Sequence, residues 1–347
     1  MAIREGCGKV EWLASHGVDK AKRVMLRKVS HMRYQHPDLK QITTFMRDFG
    51  LNVVKKTPTQ RWFGGYGPDQ YVYYCQEGPM AFLGGTFEVE SYHELERILQ
   101  LPCVQVLDGG IQEMADAPGG GHLLSISDPE GFPVNFVYGQ AAKTTEVMLP
   151  GKIIYNDESA KPRKRKFQRF NEGPASVYKL GHFGLCVNGF QAQLEFYTQN
   201  FNIVPSDILY VALETTTPGE VDRKEVAMFA HIDRGQDLVD HHTLFLTTLA
   251  PGVKPHVHHC SFEIHDFDTQ ALGHQWLAEK GYQSVWGVGR HILGSQIFDY
   301  WWDTSGFMVE HYADGDLVNE DTPLAFGPAG HEGLAVWGPE VPGAFLE

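Results

Sequence analysis

Near the C-terminal end of the chain, His291, Tyr300 and Glu310 stand 9 and 10 residues apart in GRHILGSQIFDYWWDTSGFMVEHYADGD. The glutamate lies in the middle of FMVEHY, a strand-like run that should be largely buried. A charge there needs a partner or a metal, unless an alternating strand turns it to the surface. Upstream, His182 in KLGHFGLCV and His259 in HHCSFEI each head a strand of the same type. His258 competes with His259, and aligning HCSFEI with HFGLCV selects His259. Two imidazoles and one carboxylate on one face leave coordination positions open, the arrangement of non-heme Fe(II) sites that activate oxygen. The same ligand types also suit Mn(II). A lone strand histidine is more often a hydrogen-bonded core residue, so the case rests on how the rest of the chain places these three.

The elements that must position them repeat. Residues 296–302 and 307–312 flank the turn 303–306 and form a hairpin. Residues 128–135 (DPEGFPVN) match 303–310 (DTSGFMVE), residues 86–89 (TFEV) match 261–264 (SFEI), and 30–32 (SHM) match 181–183 (GHF). The chain therefore reads as two modules, each of two βαβββ units, an α+β architecture. In the first module a strand at 26–34 leads to a helix carrying Ile42, Phe45, Met46 and Phe49, stopped by Gly50. Strands follow at 70–76 and 79–89, a capping box at 91–94 opens a second helix, and 122–139 closes the unit. In the second, a helix over 190–201 and strands at 207–213, 225–232 and 243–248 precede the strand at 258–264. Asp268 is expected to cap the next helix, with Leu272 and Trp276 on its face. The expected divisions are an N-terminal module over 25–145, a linker over 146–176, a catalytic module over 177–320 and a Gly/Pro-rich tail over 321–347. The copies differ where chemistry would sit. Opposite Glu310, His259 and Tyr300 the first module has Asn135, Gly84 and Ser125, so it reads as a copy that kept the fold and lost its metal site.

Composition narrows the function classes. The formal charge of −14 argues against a nucleic-acid partner. No apolar run is long enough to span a bilayer, and the N-terminus lacks the form of a secretory signal. Five scattered cysteines without a CxxC pair read as reduced thiols, and the expected location is the cytoplasm. The basic run 161–166 (KPRKRK) reads as part of the linker, with a targeting signal as the weaker alternative. Of 17 histidines, nine fall between His231 and His291.

The second module resembles the type I extradiol ring-cleaving dioxygenases of the vicinal oxygen chelate superfamily, whose fold is also glyoxalase-like. The pieces that carry the resemblance are LGHFGLCV, the HHT of residues 241–243, HHCSFEI, GRH at 289–291, Tyr300 and SGFMVEHY. The resemblance implies that His182, His259 and Glu310 hold Fe(II), with Mn(II) as the alternative. It implies acid–base or substrate-orienting roles for His242, His291 and Tyr300, with His241 the competitor of His242. The implied reaction opens a small aromatic diol beside its hydroxyls with O2, giving a semialdehyde or keto acid, in an enzyme expected to be a homo-oligomer. A glyoxalase- or isomerase-like enzyme and a non-enzymatic binding member are the competing readings. The His182–His242 spacing is long, with an insertion around 215–226, and the tail has no counterpart in the family pattern.

Overall fold

The computed structural model describes residues 5–102, 104–143, 151, 155, 157–167, 170, 172–213, 222–330 and 333–346. The first half runs β1 (Glu5–Cys7), α1 (Lys9–Ser15), β2 (Leu26–His36), α2 (Leu39–Asp48), β3 (Asn52–Lys56), β4 (Gln60–Gly64), β5 (Tyr73–Glu77), β6 (Ala81–Val89), α3 (Tyr92–Ile98), β7 (Gln105–Glu113), β8 (His122–Ser127) and β9 (Pro133–Tyr138). The second half opens with β10 (Val177–Val187), α4 (Phe190–Asn200), β11 (Ile203–Leu213), β12 (Asp222–Ile232), β13 (Val239–Asp240) and β14 (Leu244–Thr248). It continues with β15 (His256–Ile264), α5 (Phe267–Glu279), β16 (Ser284–His291), β17 (Ile297–Trp302), β18 (Met308–Ala313) and β19 (Leu317–Val318). Last come β20 (Leu324–Pro328), β21 (Ala335–Trp337) and the short α6 (Gly343–Leu346).

The fold is α+β, and its repeat is visible in strand order. The smaller sheet runs β3-β4-β5-β2-β6-β9-β8-β7, and the larger runs β1-β20-β11-β12-β14-β10-β15-β18-β17-β16-β21. Removing β1, β20 and β21 leaves the same eight-strand order in the second. The registers agree as well: Thr86 pairs with Asn135 as Ser261 pairs with Glu310, and His31 faces Thr86 as His182 faces Ser261. The two turns are built alike. Asp128 Oδ1 accepts from the Glu130 and Phe132 amides, and Asp303 Oδ1 accepts from those of Ser305 and Phe307. The 321–347 segment adds two strands to the larger sheet, and β20 in turn pairs with β1 at the other end of the chain.

Alternation decides what each strand offers. On β10, Phe183 points into the core shared by the two sheets and meets Phe87 of β6 with ring centroids 5.8 Å apart, while His182 points to the opposite face. Ile42, Phe45, Met46 and Phe49 of the first helix segment are fully buried, as their spacing requires. Asp38 caps α2 through the Lys40 and Gln41 amides, and Gly50 ends it at φ +97°. The Ser91 cap is only half of the expected box. Ser91 accepts from the Glu94 amide, but the Glu94 carboxylate binds the Met25 amide instead of turning back. In α5 the cap is Asp266, which accepts from the Thr269 amide; Asp268 sits in the first turn. The buried face of α5 is correspondingly Gln270, Gly273 and Leu277, with Leu272 and Trp276 half-buried. Cys75, Cys186 and Cys260 are buried free thiols. Cys103 and most of the 215–226 insertion lie outside the described residues, as does part of 146–176.

Candidate active site

Four neighbouring strands carry the site as a single row. His182 on β10 pairs with Ser261 on β15, Ser261 with Glu310 on β18, and Glu310 with Tyr300 on β17. His259 lies two residues before Ser261, and so on the same face of β15. The row brings His182 Nε2 within 3.1 Å of His259 Nε2 and 3.2 Å of Glu310 Oε2, with His259 Nε2 3.7 Å from that oxygen. Glu310 is fully buried, yet neither of its oxygens has a hydrogen-bond donor among the described residues. A buried carboxylate without donors is costly, and a divalent cation is the partner that would remove that cost. Two imidazole nitrogens and a carboxylate oxygen within reach of one another could hold such an ion. Gly184 leaves the room: a Cβ there would stand 2.7 Å from the Phe245 ring and 3.2 Å from His259.

Outer hydrogen bonds set the tautomers. His258 Nε2–H donates to the Phe345 carbonyl at 2.9 Å, so its Nδ1 must accept from His259 Nδ1–H at 2.6 Å. That leaves the His259 Nε2 lone pair facing Glu310 and His182. A second chain runs from Asp207, whose carboxylate accepts from His241 Nε2–H at 2.8 Å. His241 Nδ1 then accepts from His242 Nδ1–H at 3.2 Å, which leaves His242 Nε2 unprotonated. In a third, His291 Nδ1–H donates to the Leu334 carbonyl at 2.9 Å and His291 Nε2 accepts from the Tyr300 hydroxyl at 3.0 Å. Burial, followed by the neighbouring histidines, pushes the pKa of His242 well below its usual value. Burial likewise lowers that of His291 against the opposing pull of Glu310, and it raises Tyr300 further above the phenol range, with the Glu310 charge adding. The result is two neutral imidazoles and a neutral phenol around a small cavity of about 50 Å³, whose other walls include Phe229, Phe245, Leu293, Leu334 and Phe345. Trp301 is core packing, and neither it nor Trp302 lines the cavity.

Residues 179–311 match the model of the Glyoxalase/Bleomycin resistance protein/Dioxygenase superfamily. Metapyrocatechase 2 of Cupriavidus necator is 31% identical over 342 residues, covering 93% of this chain and 92% of its own. The chain belongs to the extradiol ring-cleaving dioxygenases. Another relative of this dioxygenase, 3-methylcatechol 2,3-dioxygenase of Pseudomonas putida, is 29% identical over 236 residues, 66% of this chain and 69% of its own. Two solved structures share the fold. Homoprotocatechuate 2,3-dioxygenase from Arthrobacter globiformis has a TM-score of 0.71 at 17% identity, covering 94% and 92% of the two chains. The Mn(II)-bound glyoxalase from Novosphingobium aromaticivorans has a TM-score of 0.73 at 18% identity, covering 92% and 94%.

In the first module of the dioxygenase the equivalent place is filled. Asn135 Nδ2 donates to the Leu83 and Gly85 carbonyls, and its Oδ1 accepts from Ser125 Oγ at 2.7 Å. Gly84 has φ +99°, and a Cβ there would lie 2.2 Å from the Pro133 carbonyl oxygen. No imidazole can replace it without backbone movement. Sequence reasoning did not find the contributions of Leu334 and Phe345. Both act through backbone carbonyls, which every residue carries, so composition gives no signal. Only the apolar side chain of Phe345 was visible, and its ring lies 4.8 Å from that of Tyr300. Phe345→Ala should raise KM for an apolar substrate roughly tenfold, the scale for losing pocket contact, with a smaller change in kcat. Steady-state kinetics on the two forms would check this. An unchanged KM would remove Phe345 from the substrate wall.

Proposed function

We propose that the dioxygenase opens the ring of a catechol with an uncharged, apolar substituent beside its two hydroxyls, with Fe(II) held by His182, His259 and Glu310. The observation that supports it most is the buried Glu310 carboxylate, without a hydrogen-bond donor among the described residues, beside His182 and beside a His259 whose outer hydrogen bond frees its Nε2, with both imidazoles lining an apolar cavity. Bound there, Fe(II) would supply chelation of the diol and an open position for O2, coupling an electron-rich ring to an oxidant that otherwise reacts slowly with it. Mn(II) is the other ion these donors suit.

The remaining work falls to side chains of this chain. His242, with Nε2 free, takes a proton from the entering diol and returns one as the ring opens. Desolvation keeps it neutral and ready to accept. Asp207 and His241 orient it, which also assigns the two imidazoles of HHT different tasks. Tyr300 and His291 form a donor–acceptor pair that a substrate hydroxyl would join from the other side. No lysine or arginine is among the described residues that line the cavity, so an ionised ring substituent would be desolvated without a cation. Buried free thiols fit a reducing, cytoplasmic setting.

The test is a panel of catechols with anaerobically iron-loaded protein, following O2 uptake and a yellow ring-opened product. One O2 should disappear per diol, both oxygen atoms entering the product. A 3- or 4-alkylcatechol should exceed its carboxylated analogue in kcat/KM by about 10²-fold, given the cost of stranding a charge. If no diol in the panel consumes oxygen, the activity assignment fails. Equal rates for the two analogues would instead overturn the substituent argument alone.

A further inference from the structure

The first module retains a cleft of about 210 Å³ at the place where the second has its catalytic cavity. The strand registers make the two correspond side chain by side chain. Tyr74 faces Arg33 and Trp62 as Phe245 faces Gly184 and Phe229. Val72 and Thr243 receive the amides of Met32 and Phe183 in the same way, which sets Tyr71 in the place of His242. His31 stands for His182. Three aromatic side chains, Trp62, Tyr71 and Tyr74, thus line a cleft whose metal-binding side has lapsed.

One substitution between the copies changes the chemistry. Gly184, which makes room for His259, is replaced by Arg33, on the strand opposite the bare Gly84. The first module therefore carries a fixed cation where the second has space for a metal ligand. The Arg33 guanidinium lies 5.1 Å from the centroid of Tyr74, and its Nε is buried without a hydrogen-bond partner. No carboxylate among the described residues forms an ion pair with it, and the one that acts on it electrostatically, Asp108, is exposed. Guanidinium offers a planar fork of donors that matches a carboxylate, and aromatic walls suit a flat conjugated body. Glu113 and Asp116 stand exposed at the mouth and oppose an anion, but in physiological salt their charges are screened over roughly 8 Å.

We propose that this cleft is a second small-molecule site, which takes a planar conjugated monocarboxylate with its carboxylate on Arg33 and its ring system between Trp62, Tyr71 and Tyr74. Benzoate is the probe. Calorimetric titration of the iron-loaded full chain should give saturable binding, with a Kd on the order of 0.1–1 mM given the opposing rim. Benzyl alcohol, which lacks the charge, and inorganic phosphate, which lacks the ring, should each bind at least tenfold more weakly. Arg33→Gln should weaken benzoate tenfold or more, the scale of a lost charge-assisted contact, and leave kcat and KM for the catechol unchanged. Trp62→Leu should weaken benzoate without touching Arg33, and it decides the matter should Arg33→Gln fail to fold. Benzoate affinity unchanged in either folded variant overturns the proposal. So does phosphate or benzyl alcohol binding as tightly as benzoate, or no saturable benzoate binding by the wild type.

Discussion

Glu310→Ala should bring bound iron from about one ion per chain to close to zero, with turnover lost alongside it. The carboxylate offsets part of the charge of a divalent ion in a dry cleft, and two neutral imidazoles cannot do that alone. Asn135→Ala, at the matching position of the first module, should leave iron content and turnover unchanged. It should still cost about 1–3 kcal/mol of stability, because it strands the Leu83 and Gly85 carbonyls and the Ser125 hydroxyl. Stability offers a check that does not depend on activity. In metal-free protein Glu310 is a buried carboxylate without donors, so Glu310→Gln should melt at a higher temperature than the metal-free wild type. Adding Fe(II) anaerobically should reverse the order, since only the wild type gains binding free energy. Elemental analysis and thermal unfolding measure both halves of this claim. Two ions per wild-type chain, or iron surviving in Glu310→Ala, would mean that the first module still works as a metal site, and a melting order that does not reverse would refute the assignment of Glu310 as the ligand.

Much of this site was legible because the chain contains its own control. The repeat of DPEGFPVN and DTSGFMVE fixes the register of the final hairpins, and with it the pairings Ser125–Asn135 and Tyr300–Glu310. Side-chain alternation then puts His182 and His259 on the face of Glu310 without any reference to distant packing. The α5 cap was misread for a local reason. Residues 265–269 (HDFDT) offer two aspartates, and Asp266 wins because its carboxylate also accepts from the Thr269 hydroxyl. The helix rotates accordingly, and Gly273 packs close against Ala175. What the sequence could not show is the tail. Two of the three chains that orient the site end on carbonyl oxygens, of Leu334 and Phe345, and a carbonyl has no signature in residue type. The pairing of β20 with β1 is equally hidden, since it joins segments more than 300 residues apart through edges only three to five residues long.

His242→Phe should leave iron bound and lower turnover by roughly 10²-fold or more, the usual scale for lost acid–base assistance. The side chain lies against the metal-binding imidazoles, its ring centroid 4.0 Å from that of His182, yet it does not belong to the His182–His259–Glu310 cluster. Phenylalanine keeps the ring volume between His182 and Phe229, so packing loss should be small. What disappears is Nε2 as a proton acceptor and Nδ1–H as the donor to His241. His241→Phe separates these effects. If His241 only orients its neighbour, that variant should lose less than His242→Phe, and Asp207→Asn should follow His241→Phe, because the carboxylate acts through that imidazole. The measurements are iron content, single-turnover decay of the diol and the steady-state kcat of each variant. Loss of iron in His242→Phe would mean that the imidazole is itself a ligand. Full activity in His242→Phe with a collapse in His241→Phe would transfer the acid–base role to His241 and leave the Asp207 carboxylate as its direct partner.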